Sequence, residues 1–261
     1  MDRKNIEKIA HTSEERMLLA KLWDKMNAGM RREIFESTGF LSPQEQKMAR
    51  YLFGNAPGLQ FFGGYDDAER KMLCYLPEYL CEDFLLGSDS PIVCLHASFY
   101  SGDSLTHRDF LGALMGIGIQ RETVGDICVG NGMCDFFVTR EIAPYILQAL
   151  TSAGRTKITL TLIDISQAQI TAPEVKEIRD TLSSLRLDSV VSAGFRISRS
   201  LAAEAISAGK AAVDGLPAEK PDKLIREGSK ISLRGSGKIL LFRVGELTKK
   251  GRILVTIHRY I

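Results

Sequence analysis

The sequence predicts an α+β protein in three parts: an N-terminal α/β region over 1–80, a central β-α-β-β-α-β domain with a linker helix over 81–184, and a small α-α-β domain over 185–261. Three observations carry this prediction. Two helix-capping boxes with helical apolar spacing open the chain, and from about residue 90 strand and helix patterns alternate around a Gly-Asn-Gly turn. Charge also divides along the chain. Residues 186–261 hold 15 Lys+Arg against 7 Asp+Glu, a net of +8, while residues 1–185 hold 19 against 25, a net of −6, which together return the overall +2. A basic domain beside an acidic remainder is the electrostatic footprint of a polyanion binder.

At 261 residues, 44% of them hydrophobic and 25% charged, the chain has the length and composition of an ordinary water-soluble protein with more than one core. No apolar run approaches ~18 residues, and charge follows the first methionine where a signal peptide would place apolar residues. A cytoplasmic location is expected. The basic residues of the last domain are spread over strands and turns, which does not suit a membrane-surface helix. Cys74, Cys81, Cys94, Cys128 and Cys134 form an odd set without a C-x-x-C pair, which argues against disulfides and zinc and predicts buried thiols.

Taken in order, Thr12-x-x-Glu15 caps a helix carrying Leu18, Leu19, Leu22, Trp23 and Met26. Ser42-Pro43-Gln44-Glu45 then starts a second helix through Met48, Ala49 and Leu52. Asn55-Ala56-Pro57-Gly58 stops it, and two short strands follow at 59–62 and 72–76, with 68–71 open to either a turn or a helical turn. Strands are predicted at 91–97, 124–129, 134–138 and 157–163, and helices from Thr106 through Ile117 and over 142–150. Gly130-Asn131-Gly132 turns the middle hairpin. This split order is the ferredoxin-like arrangement that many RNA-recognition modules share. Those modules stack bases on aromatics of the two central strands. Here the adjacent Phe136 and Phe137 point to opposite faces and the other central strand has no aromatic, so the sheet is read as core plus a protein-facing surface, with base stacking the weaker alternative.

Thr171-Ala172-Pro173-Glu174 predicts a capped linker helix through Val175, Ile178 and Leu182. The last domain opens with a short helix over 186–194, stopped at Gly194. Ser198 caps a second helix with Leu201, Ala202, Ala205 and Ile206 on one face, and Gly209 ends it. After the Asp214-Gly215 turn, strands are predicted at 230–234, 238–244 and 253–258. Arg196, Ser198, Arg199, Lys210, Arg234 and Lys238 lie at the ends of these elements, where donors and helix-start amides suit phosphate oxygens.

Other chemistries find little support. Gly235-Ser236-Gly237-Lys238 lacks the upstream glycine spacing of a phosphate loop, and Ile239 stands where a Ser/Thr would hold magnesium. The four histidines show no metal spacing, and His107 and Asp109, two apart on a helix, diverge. No metal or cofactor is expected.

Arg186-Leu187-Asp188, Ser198-Arg199-x-x-Ala202, Ile206-x-x-Gly209-Lys210, Val213-Asp214-Gly215 and Arg234-Gly235-x-Gly237-Lys238 resemble the RNA-binding domain named after bacterial small-subunit ribosomal protein four. The rest is similar to the bacterial YlmH family in Gly63-Gly64-Tyr65 with Ala68-Glu69-Arg70, in His107-Arg108-Asp109-Phe110-Leu111-Gly112, and in Gly118-Ile119-x-Arg121-Glu122-x-x-Gly125-Asp126-Ile127. The resemblance implies a non-enzymatic RNA-binding protein associated with ribosomal RNA of the large subunit and with stranded peptidyl-tRNA, in ribosome-associated quality control. It also implies a link to cell division, because the family is encoded among division genes. Two alternatives stand beside it, an RNA-modifying enzyme built on the central domain and a division-associated scaffold with secondary RNA binding. A triplet like Arg186-Leu187-Asp188 holds the catalytic aspartate of pseudouridine synthases, which need a catalytic domain after this one, so Asp188 is expected to be structural.

Overall fold

Both opening helices begin where the sequence supplies a reciprocal cap. In the computed structural model, which describes residues 5–171 and 175–260, Thr12 Oγ1 accepts from the Glu15 amide at 3.1 Å and the Glu15 carboxylate accepts from the Thr12 amide at 3.3 Å. Ser42 and Glu45 repeat the exchange. A short α1 (Ile6–Ile9) precedes α2 (Ser13–Arg32), and α3 (Pro43–Phe53) follows β1 (Glu36–Ser37). Leu19, Leu22 and Met26 of α2 meet Met48, Ala49, Leu52 and Phe53 of α3 in one buried cluster. Strands β2 (Leu59–Phe62) and β3 (Met72–Tyr75) complete a three-stranded sheet of order β1-β3-β2, and residues 68–71 form no helix.

The chain divides into two compact units, residues 1–172 and 173–261. The rest of the first unit runs β4 (Ile92–Ser98), α4 (His107–Gly116), β5 (Val124–Gly130), β6 (Met133–Thr139), α5 (Ala143–Ala149), a small hairpin of β7 (Ser152–Ala153) and β8 (Thr156–Lys157), and β9 (Thr159–Ile163). Four of these strands form an antiparallel sheet of order β5-β6-β4-β9. Alternation sorts its residues between two cores. Val93, Leu95, Phe136 and Val138 pack with Phe110 and Leu114 of α4 and Ile146 of α5, whereas Cys94 and Phe137 pack with Phe40, Met72 and Cys74 from the N-terminal region.

The motif residues of that region hold this second core closed. The Asp126 carboxylate accepts from the Tyr65 hydroxyl at 2.7 Å and from the Glu69 and Arg70 amides at 2.6 and 3.0 Å. The Arg70 guanidinium donates to the carbonyls of Val124 and Phe40. Gly64 has φ +95°, and a Cβ there would stand 2.5 Å from the Phe137 ring, so the turn requires glycine twice over.

In the second unit, β10 (Val175–Leu182) is followed by α6 (Leu187–Phe195), α7 (Arg199–Ser207), β11 (Ala211–Val213), β12 (Leu216–Pro217), β13 (Lys230–Leu233), β14 (Gly237–Leu247) and β15 (Ile253–Tyr260). The six strands form an antiparallel sheet of order β10-β15-β14-β13-β11-β12. This corrects the linker helix expected through Val175, Ile178 and Leu182. The segment is a strand paired with β15 from Val175↔Tyr260 to Leu182↔Ile253, and part of its expected cap, 172–174, lies outside the described residues. Spacings of three and four suit a helix, but Ile178 and Leu182 are also an even number apart, so both face the core from an edge strand while Glu177 and Arg179 are exposed.

A second correction concerns the end of α6. Gly194 lies within the helix, where a Cβ would come 2.5 Å from Ile239 Cδ1, and the left-handed stop falls on Arg196 at φ 55°. The glycine is needed for close packing on the sheet rather than for the turn. Gly209, at φ +68°, does terminate α7. Cys74, Cys94, Cys128 and Cys134 are buried, but Cys81 is exposed, at odds with the buried set expected for all five. No helix among the described residues is long and apolar enough to cross a membrane.

Candidate nucleic-acid interface

The junction between α6 and α7 builds a basic concavity in the second unit. Arg196 caps α6 with its own backbone in the left-handed region, and the Ser192 hydroxyl donates to the Ile197 carbonyl at 2.7 Å, which sets the three-residue link from Arg196 to Ser198. Ser198 then caps α7, its hydroxyl accepting from the Leu201 amide at 3.2 Å. Arg196 and Arg199 thereby project into a cleft of about 350 Å³ whose other walls are Asp180 to Ser183 of β10 and its exit, Ser189 and Ser192 of α6, and Arg252. Arg252 is held there by Thr181, donating from Nε to the side-chain oxygen at 3.0 Å and from Nη2 to the backbone carbonyl.

Asp188, 4% exposed, is the anchor beneath the cleft. Its carboxylate accepts from Arg199 at 3.1 and 3.3 Å, from Arg186 at 3.1 and 3.3 Å, and from the Ser189 hydroxyl at 3.2 Å. Burial works to raise its pKa, but the hydrogen bonds from Arg186 and Arg199 outweigh that and leave it below the ordinary carboxylate value. One carboxylate shared by two guanidiniums leaves the site with surplus positive charge, and the planar, multidentate Arg199 keeps a fixed orientation for further acceptors.

The structure separates the six predicted contact residues into three places. Arg196, Ser198 and Arg199 meet at the start of α7, where the Ser198 hydroxyl is committed to the cap. Lys210 and Arg234 are both exposed and are joined by the Arg234 amide donating to the Lys210 carbonyl at 2.9 Å, at the far end of α7, roughly 13 Å along the helix. Lys238 lies elsewhere. Its neighbour Ile239 is buried on the helix side, and its ammonium sits 5.9 Å over the Tyr260 ring on the opposite face of the sheet. Sequence reasoning missed Arg252 and Thr181, because Arg252 belongs to a hairpin 53 residues beyond Arg199 in the chain and only the pairing of β10 with β15 brings them together. The Asp214 side chain accepts from the Lys230 amide at 2.8 Å and so stabilises its own left-handed turn.

In the first unit, Phe136 and Phe137 are both fully buried, on opposite faces, so this sheet has no base-stacking pair there. An open cleft of about 490 Å³ lies beside α4, lined by Arg108, Asp109, Thr151 and Ser152 among others. It is the larger of the two concavities but has a single arginine next to a carboxylate, against three arginines in the other. Asp109 accepts from the Thr106 amide and hydroxyl at 2.8 and 2.6 Å, a helix-start role that holds its carboxyl below the usual range. His96 Nδ1 lies 2.6 Å from the buried Asp135 carboxylate, which also accepts from the Gln169 amide at 2.7 Å.

Comparison with known proteins follows the same division. Residues 99–167 match the family described as a putative RNA-binding domain in YlmH, and residues 185–231 match the S4 domain. The chain is 36% identical over 224 residues to ribosome-associated protein quality control protein P2 of Bacillus subtilis, covering 85% of this chain and 86% of that protein. A solved structure titled cell division protein ylmH from Streptococcus pneumoniae aligns over 60% of this chain and 96% of its own, with 19% identity and a TM-score of 0.49. With both domains matched and a relative this similar across most of both chains, this chain belongs to the YlmH family of RNA-binding proteins and carries an S4 domain in its second unit.

Proposed function

We propose that the chain is a non-enzymatic RNA-binding protein that docks on ribosomal RNA of the large subunit carrying stalled peptidyl-tRNA, in ribosome-associated quality control. The name of the Bacillus relative and the two RNA-binding domain matches support the setting. The observation that carries the reading is the convergence of Arg196, Arg199 and Arg252 on one cleft beside the capped start of α7. Guanidiniums fixed on a rigid frame suit phosphate oxygens, which position an RNA without reading its sequence. Lys210 and Arg234, one helix length away, serve as a second set of phosphate contacts, and Ser198, whose hydroxyl caps α7, positions the helix start beside Arg199. The four-stranded sheet, with its first and third strands central, is read as a ferredoxin-like domain that supports the assembly through its surface.

A non-enzymatic role is supported by Asp188. The aspartate of the triplet that resembles the one in pseudouridine synthases is buried and engaged by two guanidiniums and a hydroxyl. The test is co-sedimentation with isolated large subunits at several salt concentrations, comparing the full chain with Arg196→Glu. Pelleting of the full chain that weakens with salt and with the charge reversal supports the reading. Equal pelleting of both proteins would refute the assignment of the cleft, and altered nucleosides in RNA incubated with the protein would refute a non-enzymatic role.

A further inference from the structure

Among the described residues, the sheet of the second unit has one face on which no helix of that unit packs. Ile178, Ile239, Leu241, Val255 and Ile257 face α6 and α7 and are buried. Their neighbours along the strands therefore point the other way. From β14 these are Lys238, Leu240 and Phe242, and from β15 they are Leu254, Thr256, His258 and Tyr260. Leu240 is registered opposite His258, and the register shifts between Leu241 and Arg243, which makes Phe242 the bulged residue. The bulge lays the Phe242 ring flat on the His258 imidazole, with centroids 4.0 Å apart and planes 15° apart. Phe242 is nonetheless 50% exposed and Leu254 46%. Beside this stack, the Lys238 ammonium lies 5.9 Å over the Tyr260 ring.

The charges on this face select the partner. Lys230, Lys238 and Arg243 surround the aromatic residues. The carboxylate of Glu177 on the neighbouring strand is engaged by Arg179 at 2.7 Å and lies 3.8 Å from His258 Nε2. A face with an exposed Phe242 ring, a half-buried Tyr260 ring, surplus cations and the Glu177 carboxylate already paired complements a polyanion that offers flat π-surfaces. That is the chemistry of an unpaired RNA segment, with bases stacking on aromatic residues and phosphates tracked by Lys and Arg.

We propose that this outer face is a second RNA-binding surface, distinct from the arginine cleft on the helix side, and that it takes single-stranded RNA by stacking bases on Phe242 and Tyr260 while Lys230, Lys238 and Arg243 meet the phosphates. Recognition at this surface is tolerant of sequence, since every base has a π-face. The two faces divide the work, one holding phosphates of folded RNA and the other an unpaired strand.

The experiment measures affinity of the full chain for a labelled oligo-uridine 12-mer and for a structured RNA hairpin, with Phe242→Leu, Arg243→Glu and Arg196→Ala as variants. Phe242→Leu keeps apolar bulk and removes the ring. It is expected to weaken oligo-uridine binding about tenfold while leaving hairpin binding within about twofold. Arg243→Glu does the same, and Arg196→Ala shows the reverse selectivity, so failure of the outer face is distinguishable from failure of the cleft. Cross-linking of 4-thiouridine RNA to the unmodified chain is expected to place adducts within 238–243 or 254–260. Unchanged oligo-uridine affinity in Phe242→Leu, equal loss of both RNAs, adducts confined to other segments, or a Phe242-dependent self-association with unaltered RNA affinity would each overturn the proposal.

Discussion

Arg199 Nε lies 3.1 Å from Asp188 Oδ2 across eleven residues of chain, joining the first turns of α6 and α7. The same carboxylate accepts from Arg186, so the basic rim of the cleft is organised by a buried acid. Removing Asp188 changes stability and binding together, and removing Arg199 does too, because it leaves Asp188 with one fewer partner. Arg196 has no such coupling to Asp188 and isolates the RNA contact.

Asp188→Asn is expected to lower the unfolding free energy by roughly 1–3 kcal/mol, the lower part of the range for a broken buried pair, because both arginine side chains are themselves substantially exposed. Urea unfolding followed by circular dichroism measures it as a shift in midpoint at constant slope. The pH dependence has a fixed sign. The Asp188 pKa is depressed in the folded chain, so its contribution is complete above the unfolded value of about 3.9 and is lost as pH falls through the folded one. Wild type should therefore lose more stability than Asp188→Asn on acidification below about pH 4.

Gly64→Ala should destabilise the first unit by roughly 2–4 kcal/mol, since the added methyl both meets the Phe137 ring at 2.5 Å and occupies φ +95°. Tyr65→Phe removes the 2.7 Å hydrogen bond to Asp126 without adding bulk and should cost about 1–2 kcal/mol. Thermal unfolding of the two variants orders them, and the reverse order would contradict the closed-core account.

The strand assignment of 175–182 predicts where the second unit can be cut. A fragment of residues 173–261 retains β10 against β15 and should unfold cooperatively with well-dispersed amide resonances. A fragment of 185–261 leaves Ile257 and Leu241 without the Ile178 side of their core and should show broadened resonances and a lower midpoint. Equal behaviour would mean that β10 adds nothing to the domain.

Thiol reactivity should separate one cysteine from four. Cys81 is exposed, whereas burial pushes the Cys74 thiol up to about 12 and the Cys128 thiol up to about 11, and raises Cys94 and Cys134 further. A native-state titration with an aromatic disulfide reagent at pH 8 should release a single rapid equivalent, with four more after denaturation.

Much of this architecture was legible in local chemistry. Thr12-Glu15 and Ser42-Glu45 place their helices because a capping box satisfies orphan amides within four residues. Gly209 marks the end of α7 for an equally local reason. What escaped depends on distant partners. Val175, Ile178 and Leu182 fit a helix or an edge strand, and only β15 decides between them. Gly194 looks like a helix stop, yet it is small because Ile239 is close, and the stop passes to Arg196. At the site, Arg196, Ser198 and Arg199 are close in the chain and so could be found, whereas Arg252 reaches the cleft only through Thr181 of β10. Lys238 shares the domain's charge, but strand alternation sends it to the other face.

The salt dependence of large-subunit binding tests the central claim most directly. With the full chain, log affinity should fall against log salt, at a slope of roughly −4 to −5 if Arg196, Arg199, Arg252, Lys210 and Arg234 each meet a phosphate, and Arg196→Ala should lower affinity while making that slope shallower by about one. A flat dependence, or a slope and affinity unchanged by Arg196→Ala, would contradict the cleft as the RNA anchor.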